Sequence, residues 1–180
     1  WELEAPFMQW VEKACLFCST LVDRIVSGCS PEELPSLWER FGFRDELVTV
    51  GEPFGMWAIE APESVAARLP IDGEGSPVFF VRELALWKQR KVRILNGGHT
   101  AMVPAAFLAG KDLVRECMED GEIHRFLTEM EEEEIVPYVP LPHADALSFA
   151  REVEQRFENP FLDHRLWTSA STPLPSGRSA

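Results

Sequence analysis

The stretch Lys88-Gln-Arg-Lys-Val-Arg-Ile-Leu-Asn-Gly-Gly-His99 puts a lysine, an asparagine and a histidine into one short segment. It lies in a run whose apolar spacing predicts a helix over about 84–98. At roughly 100° per residue, with Lys91 as zero, Asn96 falls at about 140° and His99 at about 80°, within one half of the helix surface. Leu95 and Gly98 lie close to the Lys91 direction. Gly97-Gly98 costs about 2 kcal/mol of helix propensity relative to two alanines. The pair therefore predicts either a close approach to the backbone or the end of the helix.

These residue types suit one chemistry. A lysine accepts a proton near neutral pH only if its ammonium form is destabilised, and the like charges of Lys88, Arg90 and Arg93 act in that direction, as burial would. Lys91 can then serve as a general base. An asparagine amide donates to a carbonyl oxygen and stabilises developing alkoxide charge, and a histidine can hold a substrate hydroxyl. Together they fit interconversion of an alcohol and a ketone without a metal. By spacing alone, the segment equally describes a basic helix surface with a buried polar histidine.

Downstream the pattern stays helical, with helices expected at about 101–109, 112–118, 121–135, 143–158 and 160–167. Upstream it is mixed. Phe7, Trp10, Val11 and Ala14 recur at helical spacing behind Pro6 and predict a helix over about Ala5 to Ala14. Leu16 to Val26 is rich in β-branched residues and reads as a strand ending at Ser27-Gly28. Ser30-Pro31-Glu32-Glu33 has the capping-box spacing and opens a short helix to about Phe41. Leu47 to Val50, Met56 to Ile59 and Val78 to Val81 are strand-like runs. The expected fold class is α+β and mainly helical: the end of an α/β domain over 1–82, joined to the start of an all-helical domain over 83–168. Residues 169–180, rich in Ser and Pro, are expected to be a disordered tail.

With 180 residues, 46% of them hydrophobic, the chain can bury a core. A formal charge of −13 opposes binding to nucleic acid and anionic membranes. No apolar run approaches the roughly 20 residues of a membrane span. Without an anchor or a signal peptide, the expected compartment is the cytoplasm. The chain begins at Trp1 and reads as a fragment. A Gly-x-Gly-x-x-Gly turn between strand and helix is missing, and Asp72-Gly-Glu-Gly-Ser76 reads as a loop.

The remaining chemical residues have plainer readings. Cys15-Leu-Phe-Cys18 lacks a second close pair, with Cys29 and Cys117 elsewhere, and no metal site is expected; on a strand Cys15 and Cys18 point to opposite faces, and the cysteines are read as reduced thiols packed in or near the core. His124, His143 and His164 show no ligand spacing and are assigned surface or capping roles. Glu129 and Glu131 to Glu134 read as a solvated helix face. Asp23-Arg24 reads as a structural ion pair, and Glu52, Phe54 and Trp57 as core rather than site residues.

Lys91-Val-Arg-Ile-Leu-Asn-Gly-Gly-His-Thr100 resembles the Lys-x-x-x-Leu-Asn-x-x-His motif of the mannitol dehydrogenase family, the metal-independent long-chain polyol dehydrogenases. Phe17-Cys-Ser-Thr-Leu-Val-Asp-Arg-Ile-Val26 is similar to that family's Val-Asp-Arg-Ile strand, with a Phe-Cys opening like that of its hexuronate-reducing branch. Further similarity runs through Val103 to Gly110, Glu133 to Pro137 and Arg156 to Phe161, so the resemblance covers roughly residues 7–167. It implies an NAD-dependent dehydrogenase acting on a small hexuronate, completed by an N-terminal Rossmann portion, with the cofactor-binding residues expected upstream of Trp1 and the isolated piece expected to be inactive. Carried over residue by residue, it implies Lys91 as acid/base, Asn96 as carbonyl-polarising donor and His99 as partner of a substrate hydroxyl. Ser19 stands where the family usually has an Asn that also approaches the reacting oxygen, and is carried as a substrate-binding candidate. The basic stretch Lys88 to Arg93 would suit a substrate carboxylate.

Overall fold

The computed structural model describes residues 4–166. In chain order these form α1 (Ala5–Ala14), β1 (Ser19–Asp23), β2 (Val26–Gly28), α2 (Leu34–Phe41), β3 (Thr49–Gly51), β4 (Met56–Glu60), α3 (Glu63–Ala66) and β5 (Val78–Val81). A helical series follows: α4 (Ala85–Arg90), a π-helical turn at Lys91–Asn96, α5 (Gly97–Leu108), α6 (Val114–Glu119) and α7 (Gly121–Glu129). A second π-helical turn at Met130–Ile135, a 3-10 turn at Val136–Tyr138 and α8 (His143–Phe157) complete it. The expected tail, 169–180, lies outside the described residues.

The chain forms two compact units, one made of the residues up to Val22 with Met56–Ala85, the other of Asp23–Gly55 with the described residues from Leu86 onward. In the first, a three-stranded sheet has the order β1-β4-β5. β4 and β5 run parallel with Trp57 opposite Val78 and Glu60 opposite Val81. Parallel neighbours require a crossover, and the 61–77 segment with α3 supplies it. Met56, Ala58 and Ile59 of β4 are buried with Leu84, and the Leu84 amide donates to Glu60 Oε2 at 2.7 Å. Helix α1 forms where its spacing predicts, with Phe7 and Trp10 stacked at 5.9 Å. None of its residues is buried.

In the second unit, β2 and β3 form an antiparallel pair with Ser27 opposite Val50. The strand expected from Leu16 to Val26 is therefore split into β1 and β2, which belong to different sheets. Its break is at Ile25, whose amide donates to Glu52 Oε1 at 2.5 Å rather than to a neighbouring strand. Before α2, Glu33 Oε2 accepts from the Ser30 hydroxyl at 2.9 Å while Ser30 Oγ accepts from the Glu33 amide at 3.3 Å. The capping box thus closes the turn that leads into the helix. α2 stops at Gly42, whose φ of +76° suits a residue without Cβ.

The helical core gathers Ile94, Met102, Leu127, Val153, Phe157 and Leu166. Two helices expected at 84–98 and 101–109 are one continuous helical path through α4, the first π turn and α5. The glycine pair does not end the helix. Over 160–166 the expected helix is absent. There the Val114 amide donates to His164 O and the Leu166 amide to Asp112 O, both at 3.0 Å, around an antiparallel bridge of Leu113 with Arg165. No helix among the described residues is long and apolar enough to cross a membrane.

Candidate active site

The first π turn is what brings the polar residues of the quoted stretch together. In a π turn the hydrogen bonds run i to i+5, so residues five apart lie nearly over one another. The Gly97 amide reaches the Val92 carbonyl in this way. Lys91 and Asn96 are also five apart and line the same cavity of about 310 Å³, together with His99. Arg24, Val26, Thr100, Phe157 and His164 are on its wall as well. An ideal α-helix would leave Asn96 about 140° from Lys91.

His99 is 8% exposed. Its Nε2 is buried with no hydrogen-bond partner among the described residues. The ring packs edge-on to Phe157 with centroids 6.1 Å apart and lies flat on His164 at 4.8 Å and 11°. Burial, then the neighbouring His164, lowers its pKa to about 4. It is a neutral imidazole at pH 7, with one nitrogen donating and one accepting.

The other cations of the stretch turn elsewhere. Arg90 lies over the rings of Phe149 at 4.3 Å and Trp87 at 5.1 Å, and burial lowers its pKa. Arg93 Nη1 donates to Tyr138 O at 2.8 Å, and Lys88 is exposed. Only Lys91 among them lines the cavity, where the second cation is Arg24. Ser19 opens β1 in the other unit and is exposed.

Several plain readings from the sequence change. His164 is not a surface residue: it lines the cavity beside His99. Glu131 is not part of a solvated face. It is 1% exposed, both its oxygens lack partners among the described residues, and it lies against Gly98, where a Cβ would overlap Oε1. Burial, then the charges of Glu154 and Glu132, pushes its pKa up to about 8. Gly98 is therefore the glycine whose backbone is closely approached.

Asp23 pairs with Arg156 rather than Arg24. Arg156 Nη2 donates to Asp23 Oδ1 at 2.8 Å and to Glu52 Oε1 at 2.7 Å, with all three side chains at most 8% exposed. Its guanidinium lies 4.2 Å from the Phe54 ring centroid. Burial alone would lower the Arg156 pKa, but the bonds to Asp23 and Glu52 outweigh it and raise it. Arg24 Nε instead donates to Phe54 O at 2.8 Å. This fastens Asp23 and the Glu52 segment to α8 beside the cavity.

Cys15 is exposed, Cys18 and Cys29 are half-buried, and only Cys117 is buried in the core; all four are free thiols. No group of three or more His, Cys, Asp or Glu among the described residues could hold a metal ion. A dinucleotide needs a strand, a glycine-rich turn and a helix whose N-terminus meets the phosphates. Gly73 and Gly75 instead form a turn closed by the Ser76 amide on Gly73 O, followed by β5. The described residues do not build a phosphate cradle for NAD.

The fold and this site define a class. The family model for the mannitol dehydrogenase C-terminal domain matches residues 83–176, and the one for the mannitol dehydrogenase Rossmann domain matches residues 2–73. The chain belongs to the mannitol dehydrogenase family. Among curated relatives it is similar to the altronate oxidoreductases of Shigella flexneri and Escherichia coli O1:K1 / APEC, each 44% identical over 179 residues. Those matches take in 99% of this chain and 37% of the relatives' length. Among solved structures, Pseudomonas fluorescens mannitol 2-dehydrogenase in ternary complex with NAD and D-mannitol matches at TM-score 0.70 and 24% identity, over 91% of this chain and 33% of that one. D-sorbitol dehydrogenase in substrate-free form matches at TM-score 0.72 and 26% identity, over 93% and 34%.

Proposed function

We propose that this chain carries the proton-transfer and carbonyl-polarising part of an NAD-dependent oxidoreductase that interconverts D-altronate and D-tagaturonate. The observation that supports it most is the convergence of Lys91, Asn96 and His99 on one cavity. The 44% identity to altronate oxidoreductases over 179 residues supports a sugar acid over a simple polyol. Four free thiols fit a reducing cytoplasm as its compartment.

A bound nicotinamide would supply or accept the hydride. In the reductive direction the Lys91 ammonium gives its proton to the ketone oxygen as the carbonyl carbon is reduced, leaving a hydroxyl and a neutral amine. Oxidation returns the proton to the amine. The Asn96 amide donates to the same oxygen and stabilises the charge that develops on it. His99, neutral and with Nε2 unpaired among the described residues, holds a neighbouring substrate hydroxyl.

The test is a comparison of NADH-dependent reduction of tagaturonate, fructuronate and fructose by the intact enzyme. Highest kcat/KM on tagaturonate is expected. A preference for fructuronate moves the protein to the mannonate-forming reaction, and a preference for fructose moves it to the polyol branch. No reduction of any of the three by a folded enzyme overturns the proposal.

A further inference from the structure

We propose that His164 is a positioning residue for His99, its ring forming the flat surface that fixes the His99 imidazole at the wall of the cavity. The observation is geometric. The two rings are nearly parallel, at 11°, with centroids 4.8 Å apart, and both line the same cavity as Lys91 and Asn96. Phe157 meets His99 edge-on, so the imidazole is held on a face and on an edge.

His164 is itself firmly placed. The backbone on which it sits is bonded at two points to the segment before α6, through His164 O and the Leu166 amide. Leu162 and Leu166 on either side of it are 4% and 0% exposed. An aromatic residue anchored in this way can fix a neighbour's plane, which a residue on a free loop could not. His164 also lines a second cavity, of about 710 Å³, with Ser27, Cys29, Asp163 and Arg165. With Val26 it is common to the walls of both cavities.

The electrostatics agree with the stack. Two cationic rings could not remain face to face at this distance, so the arrangement requires at least one neutral imidazole. Burial lowers the pKa of both histidines, and the charge of Glu52 opposes this at His164. The other titratable groups on the cavity wall are Lys91 and Arg24, while Glu131 lies behind, against Gly98. None of these cations favours a protonated His99.

The functional consequence, a fixed acceptor or donor for one substrate hydroxyl, rests on the proposed oxidoreductase reading; the positioning itself does not. The test is accordingly read on the protein without substrate. In the parent, the His99 ring-proton signals followed by NMR are expected to titrate with a midpoint near 4. His164→Phe, which keeps an aromatic surface, is expected to leave that midpoint within about half a unit. His164→Ala opens the ring face to water and is expected to raise it by one unit or more, toward the ordinary value of about 6.5. In the intact enzyme, the alanine variant should raise KM for the sugar acid about tenfold with a smaller change in kcat, and phenylalanine should restore most of it.

A His99 midpoint unchanged in a folded alanine variant overturns the inference. If the alanine variant does not fold, a phenylalanine variant whose His99 titrates near 6.5 overturns it equally. Normal titration behaviour in an enzyme that reduces no sugar acid would leave the positioning intact and refute the substrate reading alone.

Discussion

Glu131 lies with its carboxyl against Gly98, the residue immediately before the cavity histidine His99, and fills the space a side chain at 98 would need. A carboxyl 1% exposed with neither oxygen paired among the described residues is held there by packing, in its neutral form. Two π-helical turns, Lys91–Asn96 and Met130–Ile135, meet in this region. The turn that carries the cavity residues is thus backed by a titratable group.

Gly98→Ala is expected to destabilise the protein by about 1–3 kcal/mol, because the new methyl must displace Glu131 from a packed interior. Urea midpoints measure it. Glu131→Ala should absorb much of that cost in the double variant, since the obstructing group is gone. Strictly additive costs would show that the two positions do not compete for space.

Glu131 also predicts a pH dependence of stability. Its folded pKa of about 8 lies above the unfolded value of about 4.3, so the native state keeps a proton that the unfolded chain releases. This contribution is complete below about pH 4 and is lost as pH rises through 8, by at most about 1.4 kcal/mol per unit. His99, with its pKa lowered to about 4, acts oppositely: its contribution is present above about 6.5 and lost as pH falls through 4. The readout is therefore the difference between parent and Glu131→Gln in melting temperature from pH 5 to 8.5. The glutamine variant should gain on the parent as pH rises; parallel curves would refute a native-state proton on Glu131.

Removal of Arg156 should cost more than any surface substitution. Arg156→Met leaves Asp23 and Glu52 buried without their cation, a loss of about 3–5 kcal/mol. Arg156→Lys should recover only part, since one ammonium cannot reproduce the forked contacts to both carboxylates. Chemical denaturation at pH 7 checks both; a methionine variant as stable as the parent would show that the triad gives no net stability.

Lys91→Ala in the intact enzyme should lower kcat by about 10²- to 10⁴-fold, the usual contribution of a positioned acid or base. NADH affinity should change little. Partial rescue by added small primary amines is expected, because they can enter the vacated space and carry the same proton. Full activity in the alanine variant would remove Lys91 from the proton-transfer role.

Much of this molecule was legible in its sequence because much of it is locally encoded. The apolar spacing of Phe7, Trp10 and Val11, the Ser30–Glu33 capping box and the strand-like runs at Met56 and Val78 describe the backbone within a few residues. There the structure follows them. The segment from Lys91 to His99 was marked out of 180 positions by its family motif.

Other features depended on segments far apart in the chain. Glu131 sits in a row of glutamates and reads as solvated, yet the packing of its turn against Gly98 strips it of water. Arg156 meets Asp23 and Glu52 across 133 and 104 positions, and no local pattern announces such a pairing. His164 looked like an isolated polar residue until the bridge at Leu113 and Arg165 set it beside His99. The sequence by itself determined the family and the locally encoded elements, such as α1, the Ser30–Glu33 turn and the strands at Met56 and Val78, because periodicity and motif are properties of neighbouring residues. Only the tertiary structure decided which charges lose their water and which rings stack, because desolvation and ring contact depend on the packing of distant segments.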